Sequence, residues 1–206
     1  MSINKNIDRF GWLAIIWLAL QIPVALLIPG WIAWENGPLE NTQVVVLLLG
    51  VAMSIVIYRK PVAKQIKRFW LSMIVFFSIL VGRELSWGRD FFQIGTDEMG
   101  PYFIPMKKVP HHQAIELTIK AVIAGTLLSL IVHTPWKKVL RVPVPIIYIV
   151  AIAIGTAIAM FGELGWILQS HIASQNLEEL SELLTYLLIV RTVHYYYPYV
   201  NADSAI

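Results

Sequence analysis

The chain consists largely of apolar runs that are each long enough to cross a lipid bilayer. About 20 apolar residues in a helix span the hydrocarbon core, which is about 30 Å thick. The first run ends in no small-residue cleavage site, so we interpret it as an uncleaved helix rather than a signal peptide. The expected fold is an all-α polytopic transmembrane helix bundle, one integral membrane domain over residues 1–206. The six predicted spans are residues 11–34, 42–58, 69–88, 115–134, 146–169 and 177–195.

The composition excludes a water-soluble domain. Hydrophobic residues make up 57% of the chain and charged residues 14%, whereas soluble domains hold about 25% charged residues. The net charge of +3 does not indicate nucleic-acid binding, because no basic face with interleaved aromatic residues is present. The absence of cysteine excludes disulfides, thiolate metal ligands and a cysteine nucleophile.

Two basic connections predict the orientation of the bundle. The segment 59–68 carries five basic and no acidic residues, and the segment 135–141 carries three basic residues. Basic loops remain in the cytoplasm, so both termini are expected there as well. The loops at 35–41, 89–114 and 170–176 are then expected on the outer side of the membrane.

Ionisable residues of the predicted spans concentrate in the outer half of the bundle. A charge inside the hydrocarbon core costs at least about 2.5 to 3.5 kcal/mol, so such residues usually face one another or a wet cavity. We therefore expect a shared polar pocket near the periplasmic surface. The residues concerned are Arg83, Glu84, Glu116, Glu163, Glu178, Glu179 and Glu182, with His111, His112 and His171 beside them.

Short internal similarities suggest a duplicated helical hairpin. VGRELSWG (81–88) resembles FGELGWI (161–167), and HQAIELT (112–118) resembles EELSELLT (178–185). On this interpretation spans 3–4 and spans 5–6 are two copies of one hairpin, and repeat interfaces often hold the functional site of a membrane protein. The match is only four or five residues per element, so the spans can equally be unrelated.

Carboxylates and imidazoles from several helices of a bundle are typical ligands of divalent metals. We predict a metal site formed by Glu84, Glu116, Glu163 and His112. Glu182 is the candidate general base, and Arg83 and Arg89 are expected to neutralise a substrate phosphate.

Two simpler interpretations stay open. Arg83 can form a buried ion pair that fixes helix register, either with Glu84 or with Glu163 across the bundle. Glu178 and Glu179 stand at a helix start, where the macrodipole favours acidic residues.

The segment GRELSWGRD (82–90) and the downstream HHQAIEL (111–117) resemble a family of uncharacterised bacterial multi-pass membrane proteins. That family carries a Glu-Glu-Ile-Ser-Trp-Gly-Gln type of motif, followed by a histidine-containing helix start. Glu84, Ser86, Trp87 and Gly88 match the motif, whereas Arg83, Leu85 and Arg89 depart from it. The resemblance implies a bacterial inner-membrane protein with about six helices and implies no activity.

Three functions are consistent with the sequence. The leading hypothesis is an enzyme that hydrolyses or transfers a group of a lipid-linked or headgroup substrate. Its cofactor would be a divalent metal, and its partner is the lipid bilayer. The second is a non-catalytic subunit that pairs with partner membrane proteins, because no P-loop or nucleophile motif is present. The third is transport of an ion or a small solute, although the inner half of the helices offers few ionisable residues.

Overall fold

A computed structural model describes residues 7–97 and 100–201 of the chain. Short 3₁₀ helices lie at Gly30–Ile32, Ser86–Phe91 and Met106–Lys108, and a two-stranded antiparallel sheet pairs β1 (Gln93–Asp97) with β2 (Gly100–Phe103). The α-helices are α1 (Arg9–Leu27), α2 (Pro38–Tyr58), α3 (Lys64–Glu84), α4 (His112–His133), α5 (Trp136–Val139), α6 (Ile146–Glu163) and α7 (His171–Asn201).

Five of these helices are long and apolar enough to cross a membrane: α1, α2, α3, α4 and α6. The chain is therefore a multi-pass helical membrane protein, as the apolar runs predict. The predicted spans 1, 3 and 5 extend beyond the observed helices. The helix α1 ends at Leu27 because Pro29 favours an extended conformation at Ile28, whose ψ is 142°. The helix α6 ends at Glu163, shortly before Gly165 with φ 66°.

The helix α7 is the central element of the bundle. It packs against α1, α2 and α6, and most of its leucines between Leu177 and Leu188 are buried. With 31 residues it is about 46 Å long, which exceeds the thickness of the hydrocarbon core. Its acidic residues lower its hydropathy, and Glu178 and Glu179 are partly buried. A sixth crossing by α7 stays a prediction.

Small residues bring α6 into close contact with α7. A Cβ atom at Gly155 would lie 2.6 Å from Oγ1 of Thr185, and one at Gly162 would lie 3.3 Å from the backbone nitrogen of Glu178. Ala151 and Ala159 are buried on the same face of α6. Close approach of this kind lets transmembrane helices gain van der Waals contact without a hydrophobic driving force. It also fixes the position of the glutamates on the first turns of α7.

Both basic connections lie at one end of the bundle, beside the C-terminal end of α7. The Nζ atom of Lys60 donates to the Tyr197 hydroxyl at 2.5 Å, and the Nζ atom of Lys138 donates to the Val200 carbonyl at 3.2 Å. We call this the basic end and the opposite end the acidic end. The structure thus places the two connections together, while their location in the cytoplasm stays a prediction. The chain termini, predicted to be cytoplasmic, lie outside the described residues.

Asp8 anchors the start of α1 at the basic end. Its Oδ1 atom accepts a hydrogen bond from the Gly11 amide at 2.8 Å, and its Oδ2 atom accepts one from the Tyr148 hydroxyl at 2.5 Å. Arg191 of α7 lies 3.2 Å from the same carboxylate. Burial by itself raises the pKa of Asp8, but the hydrogen bonds and the nearby guanidinium outweigh it and lower the pKa below its ordinary value. This cluster joins α1, α6 and α7.

The helix α4 lies at the periphery and packs mainly against α3. Only 6% of the residues in its apolar 18-residue segment are buried. The hairpin of α3 and α4 therefore packs differently from the hairpin of α6 and α7, in which α7 is central. The predicted duplication of the two hairpins stays a prediction.

A candidate cation site at the acidic end

A cavity of about 230 Å³ opens at the acidic end of the bundle. Six glutamates and a single arginine supply its charged groups, so the lining carries a large excess of carboxylates. We call it the acidic cavity. Its lining residues are Glu35, Glu40, Arg83, Glu84, Gln175, Glu178, Glu179 and Glu182.

The start of α2, the end of α3 and a part of α7 about two to three turns inside that helix bring these glutamates together. Glu178 and Glu182 are one turn apart on α7 and therefore share a face. Glu84 is the last residue of α3, and the chain then turns away through Trp87 and Gly88, whose φ angles are 57° and 87°. Glu40 lies in the first turn of α2, where its carboxylate accepts a hydrogen bond from the backbone amide of Asn36.

Arg83 is the centre of the hydrogen-bond network in the cavity. Its Nη1 and Nη2 atoms donate to the two carboxylate oxygens of Glu182 at 3.1 and 2.5 Å, and Nη1 lies 3.0 Å from Oε1 of Glu84. Tyr186 accepts from the guanidinium and donates to Oε1 of Glu84 at 2.6 Å. The bidentate geometry with Glu182 is the stronger form of an arginine–carboxylate contact. It connects α3 to α7 at the level of the cavity.

Three carboxylates are close enough to hold one ion. One oxygen each of Glu84, Glu179 and Glu182 lies within 4.8 Å of the others. Beside them, Gln43 is fully buried and donates from Nε2 to the carboxylate of Glu179 at 2.8 Å. Its Oε1 atom has no hydrogen-bond partner among the described residues. A buried amide oxygen without a partner is costly, and carboxylate and amide oxygens are the ligands that hard cations prefer.

A second acidic group borders the cavity on the side of the 3₁₀ helix Ser86–Phe91. The Ser86 hydroxyl donates to Oε1 of Glu35 at 2.9 Å. Asp90 is buried nearby, and this burial, together with the negative charge of Glu35, raises its pKa above the ordinary value. Negative charge therefore extends from the cavity toward the 3₁₀ helix.

The structure brings together only part of the predicted site. Arg83, Glu84 and Glu182 meet in the cavity. Arg89 instead donates to the backbone carbonyls of Ser86 and Ile104 at 3.0 and 3.4 Å, where it joins the 3₁₀ helix to the segment after β2.

Three predicted metal ligands lie outside the cavity lining. Glu116 lies 3.9 Å from Lys120 on the same helix, and His112 begins that helix. Both belong to α4, which packs on α3 rather than in the centre of the bundle. Glu163 is exposed at the end of α6. The structure therefore does not assemble Glu84, Glu116, Glu163 and His112 into one site, and it groups Glu84 with Glu179 and Glu182 instead.

Sequence reasoning missed several lining residues. Glu35 and Glu40 belong to a segment, ENGPLEN, that the sequence places only in an outer loop. The sequence predicts Glu179 in the shared polar pocket but not as a metal ligand, because an acidic helix start also accounts for it. That helix start is wrong: α7 begins at His171, so Glu179 lies about two turns inside the helix. One sequence feature indicates that Glu35, Glu40 and Glu179 could lie near Glu84: all four are predicted on the same side of the bilayer.

Comparison of the chain with known proteins gave no match: no family model, no curated protein and no solved structure resembles it. The likeness of residues 82–90 to a bacterial membrane family rests on the motif residues alone. In the structure these residues have separate roles. Glu84 lines the cavity, and Ser86 contacts Glu35. The Trp87 ring packs against Gly82 so closely that a Cβ atom added at Gly82 would lie 2.8 Å from Cζ3 of the ring.

Proposed function

We propose that the acidic cavity binds a divalent cation through Glu84, Glu179 and Glu182. The bound ion would support hydrolysis or transfer on a lipid-linked or headgroup substrate at the membrane surface. The observation that carries this proposal is the approach of three carboxylate oxygens to within 4.8 Å of one another. Oxygen-only ligands favour magnesium, calcium or manganese over softer metals.

The charge balance of the cavity supports a bound cation. Like charges at such short distances in a partly buried site repel strongly unless a cation or protons compensate them. Arg83 supplies one positive charge beside Glu84 and Glu182, whereas within the described part of the chain the Glu179 carboxylate is hydrogen-bonded only to the neutral amide of Gln43. An ion beside Glu179 would supply the missing positive charge.

The other residues of the cavity have chemical roles in this proposal. A divalent ion lowers the pKa of a bound water and thereby provides a nucleophile near neutral pH. Glu178 lines the cavity one turn before Glu182 and is placed to accept the proton of that water. Glu182, which the sequence predicts as the base, is here a ligand held by Arg83. The guanidinium would neutralise a phosphate on the substrate.

Titration of the purified protein with Mn²⁺ tests the proposal. We expect about one equivalent to bind to the wild type, and Glu179→Gln to weaken binding by at least about tenfold. Glutamine keeps an acceptor for the hydrogen bond from Gln43 and does not disturb Arg83, so the variant should fold. The matched control is Glu116→Gln on the surface of α4, which should bind as the wild type does. Binding that is absent from the wild type, or unchanged in Glu179→Gln, would contradict the proposal.

The packing of α4 favours a second candidate function, that of a subunit in a larger membrane assembly. A groove of about 540 Å³ between α3 and α4 is lined by Ser72, Gly125 and Ser129, and a Cβ atom at Gly125 would meet nothing within 4 Å. Small residues of this kind are typical of helix–helix interfaces in membranes. Native mass spectrometry of complexes extracted in mild detergent tests this candidate. We expect the same second protein in every preparation of the wild type and its loss in Gly125→Leu.

A further inference from the structure

An apolar groove between α3 and α4 shares one lining residue, Arg83, with the acidic cavity. It has a volume of about 330 Å³ and extends along the half of α3 nearer the acidic end and along the middle of α4. The apolar residues that line it are Phe76, Ile79 and Leu80 of α3 and Ile119, Ile123 and Leu127 of α4. From Phe76 to Arg83 the groove follows α3 for about 10 Å, which is about two-thirds of the thickness of one leaflet. We call it the α3–α4 groove.

Arg83 belongs to both spaces. It lines the acidic cavity and also closes the α3–α4 groove. Its side chain is 49% exposed, whereas the side chains of Glu84 and Glu182 are 4% and 13% exposed. The guanidinium thus contacts the buried carboxylates, while about half of the Arg83 side chain stays exposed. Since a guanidinium has five N–H donors, donors remain for a ligand that approaches along the groove.

Trp87 marks the mouth of the groove. It lines the groove beside Arg83, and its ring packs closely over Gly82. Tryptophan prefers the level of the lipid headgroups. The mouth of the groove, the guanidinium and the opening of the acidic cavity are therefore expected at the depth where lipid phosphates lie.

We propose that the α3–α4 groove binds a hydrocarbon chain of a membrane lipid whose phosphate contacts Arg83. This inference rests on the proposed function and names its substrate class, a phospholipid whose headgroup reaches the acidic cavity. Apolar side chains match the hydrocarbon chain, and a half-exposed guanidinium at the end of the groove matches an anionic phosphate. Arg83 lies between that phosphate and the carboxylates of Glu84 and Glu182 in this proposal, and the cation of the proposed function offsets part of the negative charge of the cavity.

The test is a binding measurement with phosphatidic acid on the detergent-solubilised full chain in the presence of Mn²⁺, read by native mass spectrometry. We expect Ile123→Trp, which fills the groove, to weaken binding by about tenfold, because the lipid loses contact for about two methylenes. The matched control is Leu128→Trp, an exposed position of α4 outside the groove, and it should bind as the wild type does.

Further measurements separate the sources of the phosphate and the two proposals. Inorganic phosphate at equal concentration should not displace the lipid, and diacylglycerol, which lacks the phosphate, should bind at least about tenfold more weakly. Equal binding by Ile123→Trp and Leu128→Trp, displacement by inorganic phosphate, or equal binding of diacylglycerol would each overturn the groove proposal. Mn²⁺ titration of Ile123→Trp should match the wild type. If the wild type does not bind Mn²⁺, that result refutes the proposed function instead.

Discussion

Replacing Arg83 with methionine is expected to destabilise the folded protein by about 2 kcal/mol, less than the cost of about 3 to 5 kcal/mol for breaking a fully buried ion pair, because the Arg83 side chain is 49% exposed. Methionine preserves the length of the apolar stem but removes the guanidinium, so Glu182 loses two hydrogen bonds and Glu84 retains the one from the Tyr186 hydroxyl. Both carboxylates have little contact with water, with side-chain exposures of 4% and 13%, so water compensates only part of this loss. Denaturation in mixed detergent micelles, followed by circular dichroism, measures the free energy of unfolding.

A double variant identifies the cause of that loss. Adding Glu182→Gln to Arg83→Met removes one uncompensated charge, and we expect it to restore about 1 to 2 kcal/mol of the free energy of unfolding. Glu116→Gln in the same background is the control, because Glu116 does not line the cavity, and it should restore nothing. An Arg83→Met variant as stable as the wild type, or a double variant no better than Arg83→Met, would show that the network does not hold α3 against α7.

The second large effect concerns orientation. The chain has no cysteine, so single cysteines can be introduced without background. Gln169 is exposed in the loop between α6 and α7 at the acidic end, and Lys137 is exposed on α5 at the basic end. The two variants are Gln169→Cys and Lys137→Cys. Because basic connections stay in the cytoplasm, a membrane-impermeant maleimide on intact bacterial cells should label Gln169→Cys and leave Lys137→Cys unlabelled.

Two further measurements complete that experiment. Lys137→Cys should react after the membrane is permeabilised, which shows that the thiol is accessible and not buried. Arg141→Cys, at a second exposed position of the same connection, should follow Lys137→Cys. Labelling of Lys137→Cys and Arg141→Cys in intact cells, with protection of Gln169→Cys, would place the acidic cavity on the cytoplasmic side and reverse the predicted orientation.

The membrane-spanning helices could be predicted from the sequence because the bilayer sets their length and apolarity. The helix ends were less predictable, since Pro29 and Gly165 end helices inside apolar runs. The central position of α7 could not be predicted. Its polar first turns resemble those of a surface helix, and only the packing of α1, α2 and α6 around it makes those turns interior.

The candidate site was predicted in part for a related reason. Hydropathy and the positive-inside rule place charged residues at one depth, which is why Arg83, Glu84 and Glu182 were identified together. Depth does not specify which helices are neighbours. Glu116 was expected beside them, but its helix α4 packs on the far side of α3 from the centre of the bundle. Glu179 is predicted in the polar pocket but not as a ligand, since a helix start at residue 177 would account for it equally well.

The account depends on the claim that Glu84, Glu179 and Glu182 together hold a cation in the acidic cavity. An anomalous difference map, from crystals of the protein grown with Mn²⁺, measures this directly. We expect a single strong peak at about 2.0 to 2.6 Å from one carboxylate oxygen of each of the three residues. A cavity without an anomalous peak at saturating Mn²⁺, or a peak held by Glu116 and His112 instead, would contradict the account.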